Sequence, residues 1–432
     1  MIRDFWVKNF LSIKDRQGLD FTAKASLEEC PLVVKIKEGV YLNKLGILYG
    51  ANASGKSNML FALQKIFSIL LEPETDASKE VGNEPFALTK EEPTEMHISF
   101  YVESIRYDYD VSFNKNVILK ESLYYYPNTA KALFYERFFV NEGVQSDISF
   151  GRSVGIESKT QQSIRENVLN NHSVLSVCKK NSFKENAKQI YNLHKKISDH
   201  FHPVFRGANS DRLVQRLKKV YEDKEKLKIY ELLLKKADLN IDTFLPITDE
   251  NDLPEEIRNE IESSEMPEEI KKQLLHPDSI LYVNHAGSDS FQISHRLQSV
   301  GTKKFLSILD PLYDMITDNH VYLLDELGED LHSDLLVFYI NIFLYNSDKS
   351  QLLFTSQEAA LLAEDLLNNN RFAVWFVEKN TETATSEYSR ADSFGLHKNL
   401  SLYNSYKIGR LGARPEVGSI FLNLKNLQNG QA

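Results

Sequence analysis

Apolar and polar residues alternate over Ile2 to Phe10 and again over Gly18 to Thr22, with a charged turn at Asp15 to Gln17 between them. A period of two predicts two opening strands. Val33 to Val40 adds a short third piece. Leu45 to Tyr49 is a continuous apolar run and predicts a buried strand. Ser57 to Leu71 then changes to a helical period, with Leu60, Leu63, Ile66, Ile69 and Leu70 on the covered side. Glu72 to Glu95 is rich in Pro, Glu, Thr and Asn and predicts a loop, with Pro85-Phe86 as an anchor. Met96 to Glu103, Tyr107 to Phe113 and Val117 to Tyr126 return to period two, with a turn at Asn114 to Asn116. Three such runs predict an antiparallel meander.

From Gly151 the pattern turns polar and helix-compatible, over Ser163 to Phe201 and Asp211 to Lys236. Leu213, Leu217, Val220, Leu227, Tyr230 and Leu234 form an interrupted stripe, which suits two helices projecting as a lid or arm. Asp249 to Glu269 is acidic and punctuated by Pro254 and Pro267. It reads as a solvated loop with short helical turns, or as a partner-binding lid. Beyond it, strands at Ser279 to Asn284 and Phe291 to Ser294 precede a helix at Thr302 to Thr317. Val321 to Leu324, Gln351 to Thr355 and Phe372 to Glu378 read as strands, with a helix at Leu331 to Tyr345. Helix alternating with buried strand predicts a parallel sheet.

The chemistry concentrates at two distant places. After the apolar run comes Gly50-Ala51-Asn52-Ala53-Ser54-Gly55-Lys56-Ser57-Asn58, in the order strand, G-x-x-x-x-G-K-S, helix. Glycines let the backbone turn its N–H groups inward on phosphates, and the helix dipole adds positive potential. Lys56 is placed to reach the β- and γ-phosphates of ATP, and the Ser57 hydroxyl to ligate Mg²⁺. The second place is Val321 to Glu326, an apolar strand ending in two acids. Asp325 suits the Mg²⁺ shell and Glu326 the polarisation of an attacking water. So long a separation is natural where a large insertion splits an ABC-type ATPase head. Such heads need a signature loop before the acidic strand, opening a helix. Ser299 and Gly301, within Gln298 to Thr302, stand there, although the same residues also suit a simple helix cap.

Composition narrows the rest. The chain has 432 residues, 42% apolar and 26% charged, with a net charge of −10. That balance is ordinary for a soluble globular protein and argues against a coat for nucleic acid. Cys30 and Cys178 show no metal spacing. Met1 to Asp15 carries charges throughout, and no apolar segment approaches the roughly 20 residues that span a bilayer. The expectation is a cytoplasmic protein with no membrane contact.

Taken together, these motifs resemble the SMC/RecF-like ABC ATPases of bacterial abortive-infection and phage-defence systems, of the RloA and AbiL type, related to the OLD and PtuA ATPases. The likeness runs through Val7 to Ile13, Gly50 to Ser57, Glu121 to Leu123, Phe134 to Arg137, Ala237 to Ile241, Ser299 to Thr302, Asp325-Glu326 with Leu331-His332, and Tyr406 to Pro415. It implies an α/β ABC-type ATPase head, with an antiparallel meander beside a parallel phosphate-loop sheet. Residues 1–150 would carry the first part of the head, 151–290 a helical insertion, and 291–432 the rest. It also implies ATP and Mg²⁺ as ligands. In a head-to-tail homodimer, Gly50, Asn52, Ala53, Ser54, Gly55, Lys56, Ser57 and Asn58 of one chain would bind ATP together with Ser299 and Gly301 of the other. Asn9 and Ser12 sit where related heads touch the nucleotide, or are ordinary strand residues.

Two departures stand out. The strand Leu352 to Ser356 runs into Gln357, where ABC heads usually carry a histidine at the γ-phosphate. Glutamine donates a hydrogen bond but carries no proton or charge, so slow hydrolysis is expected. No glutamine-bearing loop joins the first helix to the meander, since Gln64 comes too early, and the element that senses Mg²⁺ is unassigned. Arg410, in the Gly409 to Gly412 turn, either approaches phosphate or a partner or merely follows a double turn. No metal–carboxylate cluster or nucleophile triad is left over. The function expected is therefore an ATP-driven switch for a separate toxic effector, a nuclease or toxin, in anti-phage defence. The alternative is a RecF/SMC-like repair ATPase binding nucleic acid through Lys179, Lys180, Lys184, Lys188, Lys195 and Lys196.

Overall fold

The computed structural model describes residues 1–414, apart from 83, 141–145, 180–184, 208, 249–254, 265, 268–270, 272–277 and 398. Its centre is a five-stranded sheet in the order Val321–Leu324, Gln351–Ser356, Leu45–Gly50, Val374–Lys379, Ser386–Arg390. The first four strands run parallel and the last is antiparallel. Leu45–Gly50 lies in the middle and is buried at every residue, because both sheet faces are covered. This is the parallel sheet expected from the alternating helices and strands.

A seven-stranded antiparallel sheet stands beside it. Its order is Asp147–Phe150, Ala132–Phe138, Ile118–Tyr126, Ile105–Phe113, Thr94–Val102, Ile2–Lys8, Gln17–Asp20. The expected meander is its middle, and its inner face joins the helix Lys56–Leu71 in one core with Met59, Leu63, Ile98, Tyr109 and Leu123. Buried Gln351 ties the two sheets. Its Oε1 accepts from Ile2 N at 2.7 Å, and its Nε2 donates to Ile2 O and Asn43 O. Ile2–Lys8 stops short of the predicted Phe10 because Asn9 turns the chain with a left-handed φ of 56°.

The polar stretch after Gly151 is not one long helix. It breaks into Ser158–Asn167, Val174–Val177 and Lys188–His200. Between them Arg137, in the meander sheet, donates to His172 O and Leu169 O, and pairs with Glu121. These bonds hold the chain in a non-helical path. The next stretch forms Ser210–Glu222 and Lys224–Lys236, separated by Asp223, whose carboxylate caps the second helix at Glu225 N and Lys226 N. The two helices lie against the strand Ile241–Thr248 and the helix Val300–Thr317 instead of projecting. Leu213, Leu217, Val220, Tyr230 and Leu234 are the reason: the stripe is apolar on both helices, and it is buried in the core that also holds Phe305 and Leu309. Of the acidic segment 249–269, the described part includes a helix, Glu255–Ser263.

Candidate functional site

The phosphate loop leaves the middle strand at its C-terminal end and enters the helix Lys56–Leu71 through Gly55, whose φ is 105°. A side chain at Gly55 would be strained there, and its Cβ would stand 2.3 Å from Ser386 Oγ. A Cβ on Gly50 would stand 2.5 Å from Val377 O and Ser54 Oγ. The loop is braced from outside by the antiparallel edge strand. Ser386 Oγ donates to Ser54 O, and the Tyr388 hydroxyl donates to Gly55 O, each at 2.5 Å. Sequence reasoning does not single out these braces, since neither residue belongs to a motif.

Lys56 is buried and folded back over the loop, donating to Gly50 O at 2.8 Å and Ala51 O at 2.9 Å. Burial pulls its ammonium below the usual lysine range, and the nearby Glu326 and Asp325 carboxylates oppose that. Ser57 Oγ donates to Asp325 Oδ1 at 2.8 Å, so the two distant motifs meet. Thr355 Oγ1 donates to the same oxygen at 2.7 Å and accepts from Glu326 N. Arg206 Nε donates to the other oxygen, Asp325 Oδ2, at 2.8 Å. A hydroxyl and a fully buried carboxylate are hard oxygen donors, the kind that Mg²⁺ takes.

Glu326 has a left-handed backbone, φ 55°, which a non-glycine residue adopts at a cost of about 1–3 kcal/mol. Burial, with the neighbouring Glu329 and Asp325 carboxylates, pushes its carboxyl above the usual range, and Arg206 opposes that shift. A cavity of about 410 Å³ brings together Asn52, Lys56, Glu326, Thr355, Ser356 and Gln357. Gln357 is exposed at its edge. On the other side of the loop, Asn52, Ala53 and Ser54 line a second cavity of about 660 Å³ with Glu378, Asn380 and Arg414. Arg414, not Arg410, thus reaches the loop from the C-terminal turn; Arg410 is exposed to solvent.

Other candidates fall elsewhere. Asn58 Nδ2 donates to Ser12 Oγ at 2.6 Å, and Ser12 Oγ meets Ser386 Oγ, so both steady the loop. Asn9 is bonded to the 86–94 segment, donating to Glu92 O and accepting from Phe86 N. Ser299 is the N-cap of the helix Val300–Thr317, its Oγ accepting from Thr302 N at 3.1 Å. A Cβ on Gly301 would stand 2.8 Å from Asp330 O. Neither lines the two cavities beside the phosphate loop. Exposed Leu297 and Val300 flank Ser299. Of the six lysines, Lys180 and Lys184 lie outside the described residues. Lys188 and Lys195 are exposed on an amphipathic helix that buries Ile190, Leu193 and Ile197, and Lys196 pairs with Glu103. Lys179, Lys188 and Lys195 thus face outward.

Arg206, which no motif marks, is the partner that the fold adds to Asp325. It ends a short segment, Phe201 to Phe205, that bridges in parallel to Val321 and Leu324 at the edge of the central sheet. Gln64 holds that segment by accepting from Val204 N at 2.9 Å.

The sequence from Gly46 to Ala363 matches the family described as "AAA domain, putative AbiEii toxin, Type IV TA system". The chain belongs to this AAA-domain family. No curated protein matches it. Among solved structures, the chain is similar to an SMC head bound to the C-winged helix domain of ScpA, at 13% identity over 94% of this chain and 99% of that one, with a TM-score of 0.37. It is similar to the SMC head domain from Thermotoga maritima, at 13% identity over 90% and 98%, with a TM-score of 0.38. A third is an Smc head domain with an extended coiled coil, bound to the C-terminal domain of ScpA derived from Pyrococcus furiosus, at 14% identity over 95% and 98%, with a TM-score of 0.34. Among the described residues of this AAA-domain chain, no helix is long and apolar enough to cross a membrane.

Proposed function

We propose that this chain binds and hydrolyses ATP to switch a separate effector protein, a nuclease or toxin, in anti-phage defence. The observation that carries the ATPase part is the 2.8 Å bond from Ser57 to Asp325, which joins a phosphate loop to an acidic strand end. On ATP binding, Lys56 leaves Gly50 O and Ala51 O for the phosphates, exchanging two carbonyl partners for stronger charged ones. Mg²⁺ held by Ser57 and Asp325 would neutralise phosphate charge. Glu326 accepts the proton of a water whose oxygen attacks the γ-phosphorus, and the bond to the β-phosphate oxygen breaks to leave ADP and phosphate. Its carboxyl, raised above the usual range chiefly by burial, is a stronger proton acceptor than an ordinary glutamate. Gln357 lines the same cavity and offers a neutral amide, which supports slow turnover.

Two chains close head to tail, with Ser299 and Gly301 of each completing the other's site. Ser299 is exposed, capped into a helix start and flanked by apolar Leu297 and Val300, as a surface built for another chain requires. The family description supports a toxin-linked role. Helices within residues 151–290 sit over both cores and would carry the closing motion to the effector.

The test is the mass of the purified chain with and without ATP, together with capture of the protein encoded beside it. The expected result is ATP-dependent dimerisation, lost in Lys56→Ala, and co-purification of the neighbour. Nuclease activity of the Lys56→Ala chain alone would overturn the division of labour.

A further inference from the structure

At the N-terminal ends of the two edge segments of the central sheet, four polar side chains converge. His200 and His202 flank Phe201, which bridges to Val321; His320 immediately precedes that strand, and Asp318 lies two residues earlier. The ring centroids of His200 and His320 are 5.3 Å apart, and those of His202 and His320 are 4.9 Å apart. Asp325 and Arg206 stand at the opposite ends of the same two segments, roughly 13 Å away for four strand residues. The cluster is therefore separate from the phosphate-loop site.

We propose that His200, His320 and Asp318 form a binding site for a divalent transition cation of the zinc class. One ligand atom from each of the three residues lies within 4.8 Å of the other two. An ion about 2.1 Å from each would draw them to about 3.4 Å, a closure that side-chain rotation supplies. Two imidazoles and a carboxylate suit zinc or cobalt rather than Mg²⁺ or Ca²⁺, which prefer all-oxygen shells.

Three details favour an ion over a merely hydrogen-bonded trio. First, His200 Nδ1 is buried and has no hydrogen-bond partner, a costly state for an imidazole nitrogen. Second, His320 Nδ1 and His202 Nε2 are 2.8 Å apart. That bond fixes the His320 ring and leaves its Nε2 directed to Asp318 Oδ2, 3.9 Å away. A ligating histidine held through its other nitrogen is the usual support of such sites. His202 is itself stacked on Tyr322, with centroids 4.0 Å apart and planes 5° from parallel. Third, Asp318 Oδ1 accepts from Asn319 N at 2.7 Å, which orients the carboxylate. A cavity of about 270 Å³, lined in part by His200 and Asp318, opens onto the cluster and leaves room for a water in a fourth position.

The experiment uses the full chain, stripped with chelator and kept in millimolar Mg²⁺ so that the oxygen-lined site is saturated. Co²⁺ is titrated while its visible absorption is followed, and Zn²⁺ is then added as competitor. The expected result is one equivalent of Co²⁺ with the intense bands of a four-coordinate ion, displaced by Zn²⁺. Asp318→Asn and His200→Ala should each weaken binding about tenfold or more. Asp318 is exposed, so its variant keeps the fold, and circular dichroism checks that. Absence of stoichiometric Co²⁺ binding, or wild-type binding by a folded Asp318→Asn chain, would overturn the proposal.

Discussion

Arg206 donates to Asp325 at 2.8 Å, across 119 residues of sequence, and so places a guanidinium on the carboxylate best suited to hold Mg²⁺. The carboxylate is fully buried and Arg206 is 60% exposed. The arginine therefore has somewhere to swing, and the aspartate does not. In the proposed site, Mg²⁺ and Arg206 would compete for one group. Arg206→Ala is expected to tighten divalent-cation binding by the nucleotide-free chain several-fold. Titration with Mn²⁺, followed by electron paramagnetic resonance, checks it; unchanged or weaker binding would count against the competition.

Arg137 and Glu121 form a second such bond, but one with no freedom. Both side chains are wholly buried. Glu121 also accepts from the Tyr109 hydroxyl and from Val174 N. Removing one partner strands the other charge in the core, so Glu121→Ala should lower unfolding free energy by about 3–5 kcal/mol. Urea unfolding measures this directly, and a loss below about 1 kcal/mol would show the pair to be dispensable.

His97 lies between Asp4 and Asp110, at 3.3 and 2.8 Å. Burial lowers its pKa, but hydrogen bonds and charge from the two carboxylates outweigh burial and raise it to about 9. A folded value above the unfolded one means the protonated form favours the fold. This contribution is complete below about pH 6.5 and is lost as pH rises through about 9. Its size is about 1–3 kcal/mol, reduced by the solvent exposure of Asp110. Comparing unfolding of wild type and His97→Gln at pH 6 and pH 10 should show a gap at pH 6 that closes at pH 10.

The two-chain site predicts complementation. Lys56→Ala and Ser299→Arg chains should each be inactive. Mixed in equal amounts, the two chains form hybrids that each carry one intact site of two, so turnover should return to at most about half of the wild-type level. No recovery on mixing would mean that Ser299 does not act across the dimer.

How much of this was legible in the sequence follows from what kind of signal each residue carries. Gly50 to Ser57 and Asp325-Glu326 are local patterns, each with its own strand, and the structure joins them through Ser57. Arg206 has no local pattern; it matters because Phe205 happens to bridge to Leu324, a pairing set by tertiary packing. Arg137 and Glu121 lie in two of the stretches that carry the family likeness, but only the register of the meander points them at one another. The helix breaks after Asn167 and at Asp223 escape a propensity reading for the same reason. The first follows from Arg137 capturing Leu169 O and His172 O, the second from a side-chain cap. The stripe from Leu213 to Leu234 was legible as a buried face, but its cover was not.

In the proposed reaction, Glu326 accepts a proton from the attacking water. The most direct measurement is steady-state ATP turnover and ATP binding by Glu326→Gln beside wild type. Binding should persist while turnover falls by about 10²–10⁴-fold. Turnover at the wild-type rate in that variant would contradict it.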